Sequence, residues 1–396
     1  SGAVMTVRVN KQPFNLREKL SELEKPIGLK GSELMKSETA QDARDLVSAG
    51  RKNMIINGDM RISQRHGTTA TTTGNGTFVI DRYRCEVGAG GATTMQQVTD
   101  APVGFHNSMK ITVTGTDTSV AAGDFHYIRH IIEGNNMNHL NWGSSNAKPV
   151  TLSFWVKSSV TGSHGGSLWN NAFNRSFPFN YSINSADTWE HKSITIPGCP
   201  DGTWESGISR GINIGFIQLA GSNFTGPPDQ WNSAGDVGPT TLVNLLATSG
   251  ATWYITGIQL EVGKNATDFE HRTYGEELAL CMRYYEKFSG DCGNGGYATF
   301  MMCSKNSNTY LVAQPVFRVP KRAPGATLTF GGLMRMSNVE EGEAHVTLTG
   351  VNNYQLGIHG GYMVLVISSN SHGNGDAFRL EARGDTTSYM AFQSEL

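Results

Sequence analysis

The chain has 396 residues, enough for two or three domains, and its formal net charge of −2 gives no long-range attraction to nucleic acid or to an anionic membrane. Only 17% of the residues are charged and 47 are glycine, a mix poor for long helices and suited to many short strands joined by tight turns. No apolar run approaches the roughly 18 to 20 residues of a membrane span, and the N-terminus lacks an apolar signal-peptide core, so membrane insertion is not expected.

Residues 1 to 52 read differently from everything after them. Asn15 is placed to cap a helix, with Glu18 at capping-box spacing, and Leu16, Leu20 and Leu23 form its apolar stripe until Pro26 ends it. A second short helix is expected after Thr39, with Ala43, Leu46 and Val47 on one side and Gly50 as its stop. Helices this short are marginal alone, so they must dock, either on their own β-domain or on a larger assembly.

Residues 53 to 271 read as one antiparallel β-sandwich of jelly-roll type. In the opening NMIINGDMRISQR, Met54 and Ile56 alternate with Ile55 before Asn57-Gly58-Asp59 makes a kink or bulge. Alternating runs follow at Met109 to Val113, Thr151 to Val156, His191 to Ile196, Ile212 to Leu219 and Trp253 to Leu260, separated by Gly, Asn, Ser and Pro clusters. The last run is apolar on both faces, as a strand covered on both sides is. Thr273, with Glu276 three residues on, then predicts the N-cap of a linking helix over 272 to 289, with Leu278, Cys281, Met282 and Tyr285 on one face.

Residues 290 to 396 read as a second, smaller β-domain. Its expected strands are Tyr297 to Cys303, Thr309 to Val319, Thr327 to Phe330, Ala344 to Thr349, Gln355 to His359, Met363 to Ile367 and Ala377 to Ala382. The fold class is therefore mainly β: short N-terminal helices, a sandwich, a linking helix and a C-terminal β-domain. The five cysteines include no C-x-x-C pair and read as free, buried thiols.

Several segments together resemble one family. NMIINGDMRISQR with FVIDRYRCEV, LSFWVKSSVTG, TWEHKSITIPGCPDGTW and above all WYITGIQLEVGKNATDFEHRTYGEELALCMRYYEKF are similar to a β-sandwich of tail-fibre, receptor-binding and related virion structural proteins of tailed bacteriophages. The N-terminal stretch from Asn15 to Asp59 is similar to the virion-proximal part of such proteins, notably in short-tailed phages of aquatic bacteria. The resemblance covers residues 10 to 290 and reaches the C-terminal domain only through PVFRVPKRAPGATLTF. It implies a virion protein assembled in the host cytoplasm, a homotrimer joined to other tail or capsid proteins through its N-terminal segment. The implied role is a tail fibre attaching the particle to a host-surface glycan or protein. The alternatives are a structural or capsid-decorating protein that binds no receptor, and a glycan-cleaving spike.

Candidate chemistry is sparse. Asp59, Asp81, Glu86, Glu133, Asp187, Glu190 and Glu261 are the acids a glycosidase reading would draw on, but such an enzyme needs two carboxylates at a set separation, and the expectation is no enzyme. Asp81 and Arg82 are expected to form a buried or turn-capping ion pair. His126 and His130 sit four apart on a strand pattern, about 13 Å at roughly 3.3 Å per residue, too far for a shared ion. A structural calcium is considered where Asn57 and Asp59 meet Glu261, against the alternative that these groups only close a bulge. Of the seven tryptophans, Trp155 and Trp253 are expected in the core and Trp189 and Trp204 in the core or an interface. Trp142 and Trp231, among turn residues, are candidates to stack on sugar rings or else pin their loops. Tyr310, Tyr354 and His372, in Asn-, Ser- and Gly-rich turn regions of the C-terminal domain, are the remaining candidates for contact with a host glycan or receptor.

Overall fold

The computed structural model describes residues 52–88, 90–289, 297–332, 334–338, 346–368, 376–383 and 387–396. The expected N-terminal helices and His372 lie outside them. All the described residues but Lys52 belong to one compact unit, Asn53–Leu396. Its sandwich strands are β1 (Thr71–Thr72), β2 (Thr77–Phe78), β3 (Tyr83–Val87), β4 (Ala92–Val98), β5 (Ser108–Gly115), β6 (Phe125–Glu133), β7 (Val150–Ser158), β8 (Gly162–Trp169), β9 (Ser176–Ile183), β10 (Glu190–Ile196), β11 (Arg210–Ala220), β12 (Thr225–Gly226), β13 (Gly238–Pro239) and β14 (Thr252–Val262).

Two six-stranded antiparallel sheets face each other, and β12 and β13 pair in parallel outside them. The first has the order β1-β4-β5-β14-β7-β10 and the second β2-β3-β6-β11-β8-β9, so the chain crosses repeatedly between sheets in the jelly-roll manner. Side-chain alternation decides what lies between them. On β7, Leu152, Phe154 and Val156 point inward, and on β14 so do Trp253, Ile255, Ile258 and Leu260. Phe154 meets Phe216 and Tyr181 of the second sheet edge-on, each at 5.1 Å, and the buried Trp253 indole donates to the Tyr181 hydroxyl at 3.1 Å.

The opening segment is not a strand. Asn57 and Met60 take left-handed φ values of 60° and 59°. Asn57 stabilises that turn by accepting from Ile62 N at 2.9 Å and donating to the Ile62 and Asp81 carbonyls at 2.8 and 2.9 Å. Asn53 replaces a ladder partner for β14: its side chain accepts from Leu260 N and donates to Ile258 O.

The helix α1 (Tyr274–Met282) begins with the expected capping box, Thr273 and Glu276 each bonding the other's backbone N–H. Cys281 and Tyr284 pack with Ile56, Ile62 and Leu396. The helix ends before Tyr285, which belongs to β15 (Tyr285–Ser289). Next come β16 (Tyr297–Lys305), β17 (Tyr310–Ala313), β18 (Thr327–Gly331), β19 (Met334–Asn338), β20 (Val346–Leu356), β21 (Gly361–Ile367), β22 (Ala377–Arg383) and β23 (Tyr389–Gln393). Six of these close a barrel in the order β16-β17-β21-β20-β19-β22, and β15-β23-β18 forms a three-stranded sheet. The sequence pattern misses β19 and β23, and it puts Tyr354 in a turn region, whereas that residue lies on β20. Closing the barrel pairs β20 with β21 along its length, and that pairing overrides the local turn propensity of Asn352-Asn353.

The expected Asp81–Arg82 pair does not form. Arg82 has φ +73°, so the two neighbours face different partners. Asp81 faces Arg65 at 3.6 Å and Gln64, while Arg82 pairs with Glu395 and lies 3.4 Å over the Tyr284 ring. With the bidentate Arg283–Glu133 pair at 2.8 and 3.0 Å, these buried charges tie the helix and the last residues to the sandwich. Cys85, Cys199, Cys281 and Cys303 are free and buried, as the sequence leads one to expect.

Candidate functional site

The outer face of the first sheet carries a candidate site. Strand β7 turns Ser153, Trp155 and Lys157 outward between the inward apolar residues. His191 of the edge strand β10 pairs with Trp155, and its ring lies 5.2 Å from the indole. On the other side, β14 carries one extra residue: three steps from Thr256 to Gln259 match two from Trp155 to Ser153. Gly257 stands in this bulge at φ +63°, and a Cβ there would lie 2.7 Å from Phe105 and 3.1 Å from Trp155. Both rings therefore approach bare backbone, which makes Gly257 the floor of a cleft.

Two loops wall this floor. One is a turn at Pro102–Phe105, closed by Phe105 N donating to Pro102 O at 3.1 Å and followed by Asn107, whose carbonyl accepts from Thr256 Oγ1 at 2.8 Å. The other, residues 263 to 271, is held down by two outward residues of β14. Gln259 donates to the Thr267 and Asp268 carbonyls and accepts from Glu270 N at 2.8 Å. The Glu261 carboxylate accepts from Thr267 N at 2.8 Å and from its hydroxyl at 2.6 Å. Phe105, Phe269 and His271 then pack together with centroids 4.9 to 5.4 Å apart.

The resulting cleft has a volume of about 360 Å³, within the range of small-ligand sites. It is lined by Val103, Phe105, Trp155 and Phe269 and by the polar groups of Ser153, His191, Asp268 and His271. Burial, and then Lys192, hold the His191 pKa below the ordinary imidazole value, so this ring is neutral at pH 7 and able both to donate and to accept. Two residues beyond Trp155 on the same face of β7, Lys157 pairs with Asp100 and sits 4.2 Å from the Tyr254 ring and 5.3 Å from Trp189.

Trp155 is thus a correction to the sequence reading, which puts it in the core. The signal is present in Ser153-x-Trp155-x-Lys157, whose polar flanking residues share the tryptophan's face. Trp189 likewise lies on this outer face, its N–H bonded to Asp100 at 3.1 Å.

The remaining candidates fall elsewhere. Trp142 is not exposed: it is 8% accessible and its indole donates to Lys148 O at 2.8 Å. Trp231 is half-buried and donates to Pro197 O at 2.9 Å. With Trp204 they form a mutually edge-on trio, centroids 4.7 to 5.7 Å apart, that pins three loops to the end of the sandwich. Tyr310 and Tyr354 sit on β17 and β20, on opposite flanks of β21, opposite Val366 and Met363. Their partners are three residues apart along β21, about 10 Å, so the two rings do not form one platform.

The residues considered for calcium do not assemble into a cation site. Asn57 spends its carbonyl oxygen on Ile62 N, Asp59 pairs with Arg61, and Glu261 holds the 263–271 loop. Among the described residues no group of three His, Cys, Asp or Glu is placed to hold a metal. His126 and His130 share the inward face of β6 but serve different partners, Thr93 and Gln218 for the first and Ile56 N for the second. Burial pushes the first down to about 4 and the second well below its ordinary value.

No family model and no curated protein matches the chain. Among solved structures it is similar to the enzymatically active domain of tailspike protein 4 of bacteriophage CBA120, at 14% identity and a TM-score of 0.29, over 53% of this chain. That match spans 21% of the tailspike domain, about a fifth of its length. It is also similar to a CBM4 module (16% identity, TM-score 0.27, 53% of this chain and 99% of that one). A third likeness is to a family 11 carbohydrate-binding module from Clostridium thermocellum in complex with a β-1,3-1,4-mixed-linked tetrasaccharide (13% identity, TM-score 0.25, 52% and 100%). At such TM-scores the chemistry of the cleft rests on this chain's own residues.

Proposed function

We propose that the chain is a glycan-binding virion protein of a tailed phage, a tail fibre that attaches the particle to the host surface through the cleft on the first sheet. The observation that carries this reading is the aromatic-walled cleft itself. A sugar ring has an apolar C–H face and a rim of hydroxyls. Trp155, half-buried, offers a flat partner for the face, and Ser153, His191, Asp268 and His271 offer donors and acceptors for the rim. The virion setting is supported by the sequence resemblance over residues 10 to 290. Binding without cleavage is part of the proposal, because the lining includes a single carboxylate, Asp268, where glycoside hydrolysis ordinarily needs two. A single cleft of this size binds weakly, and assembly as a homotrimer anchored through residues 1 to 52 would raise the affinity by avidity.

The test is Trp155→Ala in the full chain, measured against an array of bacterial surface polysaccharides. Loss of a central tryptophan anchor is expected to weaken binding by about thirtyfold or more, at about 2 kcal/mol. The far-ultraviolet circular dichroism should stay unchanged, since the indole lies outside the core. Retained binding would move the contact away from this cleft, with Tyr310 and Tyr354 on the barrel as the next positions to replace.

A further inference from the structure

We propose that the cleft selects glycans whose sugar presents a methyl group, the terminal methyl of an acetamido or that of a deoxy position, and that Val103 is the residue that reads it. This rests on the glycan-binding reading above. The two walls differ in chemistry. The 263–271 wall presents Thr267, Asp268 and His271 beside Ala266 and Phe269, whereas the opposite lip is Val103, Gly104 and Phe105 and has no polar side chain. Val103 lines the cleft and is at the same time 101% exposed, the most exposed large apolar residue among those described.

A scattered exposed valine needs no explanation on an ordinary surface. Here its backbone belongs to a closed turn at the edge of the cleft. The turn is closed by Phe105 N donating to Pro102 O, and Gly104 has a φ of +95°. Phe105 is fixed beneath by Phe269 at 5.0 Å and His271 at 5.4 Å, so the lip stands on packed rings. A sugar stacked on Trp155 brings part of its rim against this lip. A hydroxyl there loses water and finds no side-chain partner, which disfavours it. A methyl there removes its own surface and that of Val103 from water, which favours it.

The experiment uses matched probes that differ only in the substituent: N,N′,N″-triacetylchitotriose against cellotriose, and L-fucose against L-galactose, titrated calorimetrically into the full chain. The acetamido or deoxy member of at least one pair is expected to bind about fourfold more tightly or better, the worth of one buried methyl. Val103→Ser should bring that ratio towards one with unchanged melting, and Val103→Ile should keep it. Equal affinities within each pair, a preference that survives Val103→Ser, or no binding of either member of both pairs overturns the inference. The cleft reading survives those outcomes if a surface polysaccharide still binds and Trp155→Ala abolishes it. Polysaccharide binding indifferent to Trp155→Ala overturns both.

Discussion

Replacing Gly257 with alanine perturbs the cleft at its floor, and the structure allows the cost to be separated into two parts. The residue has φ +63°, where an L side chain costs about 1 to 2 kcal/mol. The added Cβ would also lie 2.7 Å from Phe105 Cζ and 3.1 Å from Trp155 Cδ1, closer than carbon atoms pack, and overpacking of this kind costs about 1 to 3 kcal/mol. Gly67 supplies the control. Its φ is +57° and nothing lies within 4 Å of its Cβ position, so Gly67→Ala carries the backbone cost alone. The entropy that alanine removes from the unfolded chain is common to both variants and drops out of the comparison. Urea denaturation of the full chain should therefore find Gly257→Ala less stable than Gly67→Ala by about 1 to 3 kcal/mol. Glycan binding should fall only in the first, because Phe105 and Trp155 must shift to admit the methyl. Equal stabilities would refute the close approach of the two rings to Gly257. Full binding by Gly257→Ala would refute its place as the floor.

Two further outcomes are expected. Lys321 and Glu286 are fully buried, with Lys321 Nζ 2.5 Å from both Glu286 Oε2 and Met282 O. Lys321→Met should cost up to about 3 to 5 kcal/mol by removing the buried partner of the carboxylate, which among the described residues keeps only Arg318, through its N–H at 3.1 Å and its guanidinium at 3.8 Å, and adding Glu286→Gln should return most of it; a double variant less stable than the single one would contradict this. Burial raises the Asp81 pKa from 3.8 to about 6, against the pull of Arg65 and Gln64. The folded value lies above the unfolded one, so this stabilising contribution is present below about pH 3.8 and is lost as pH rises through about 6. Asp81→Asn should flatten the denaturation midpoint over that window, and parallel curves for the two proteins would locate the slope elsewhere.

The parts of the fold readable from sequence are those decided by neighbours along the chain. Thr273 and Glu276 specify a helix start within one turn, and the alternation in Thr151–Val156 and Trp253–Leu260 specifies strands, because the side-chain period of two is a local property. The same alternation points to strands packed in a sandwich around a shared core. It does not identify which face of a strand is covered. In β7 the polar residues Ser153 and Lys157 share the face of Trp155, but an aromatic within so apolar a run reads as core until the inward packing of Leu152, Phe154 and Val156 and the pairing of β7 with β14 and β10 show that its face lies outside.

What tertiary structure alone decided is the identity of partners. Asp81 and Arg82 are adjacent, yet a left-handed residue and the return of the last residues send one to Arg65 and the other to Glu395. Glu261, a carboxylate of open purpose in the sequence, holds the wall of the cleft through Thr267. Trp142 and Trp231, isolated among turn residues, meet Trp204 and become a packed trio. The cleft joins residues near 103, 153, 191, 257 and 268, which no local pattern connects. Sequence spacing sets which side chains share a strand face, whereas register between distant strands, and one extra residue at Gly257, sets which of them meet.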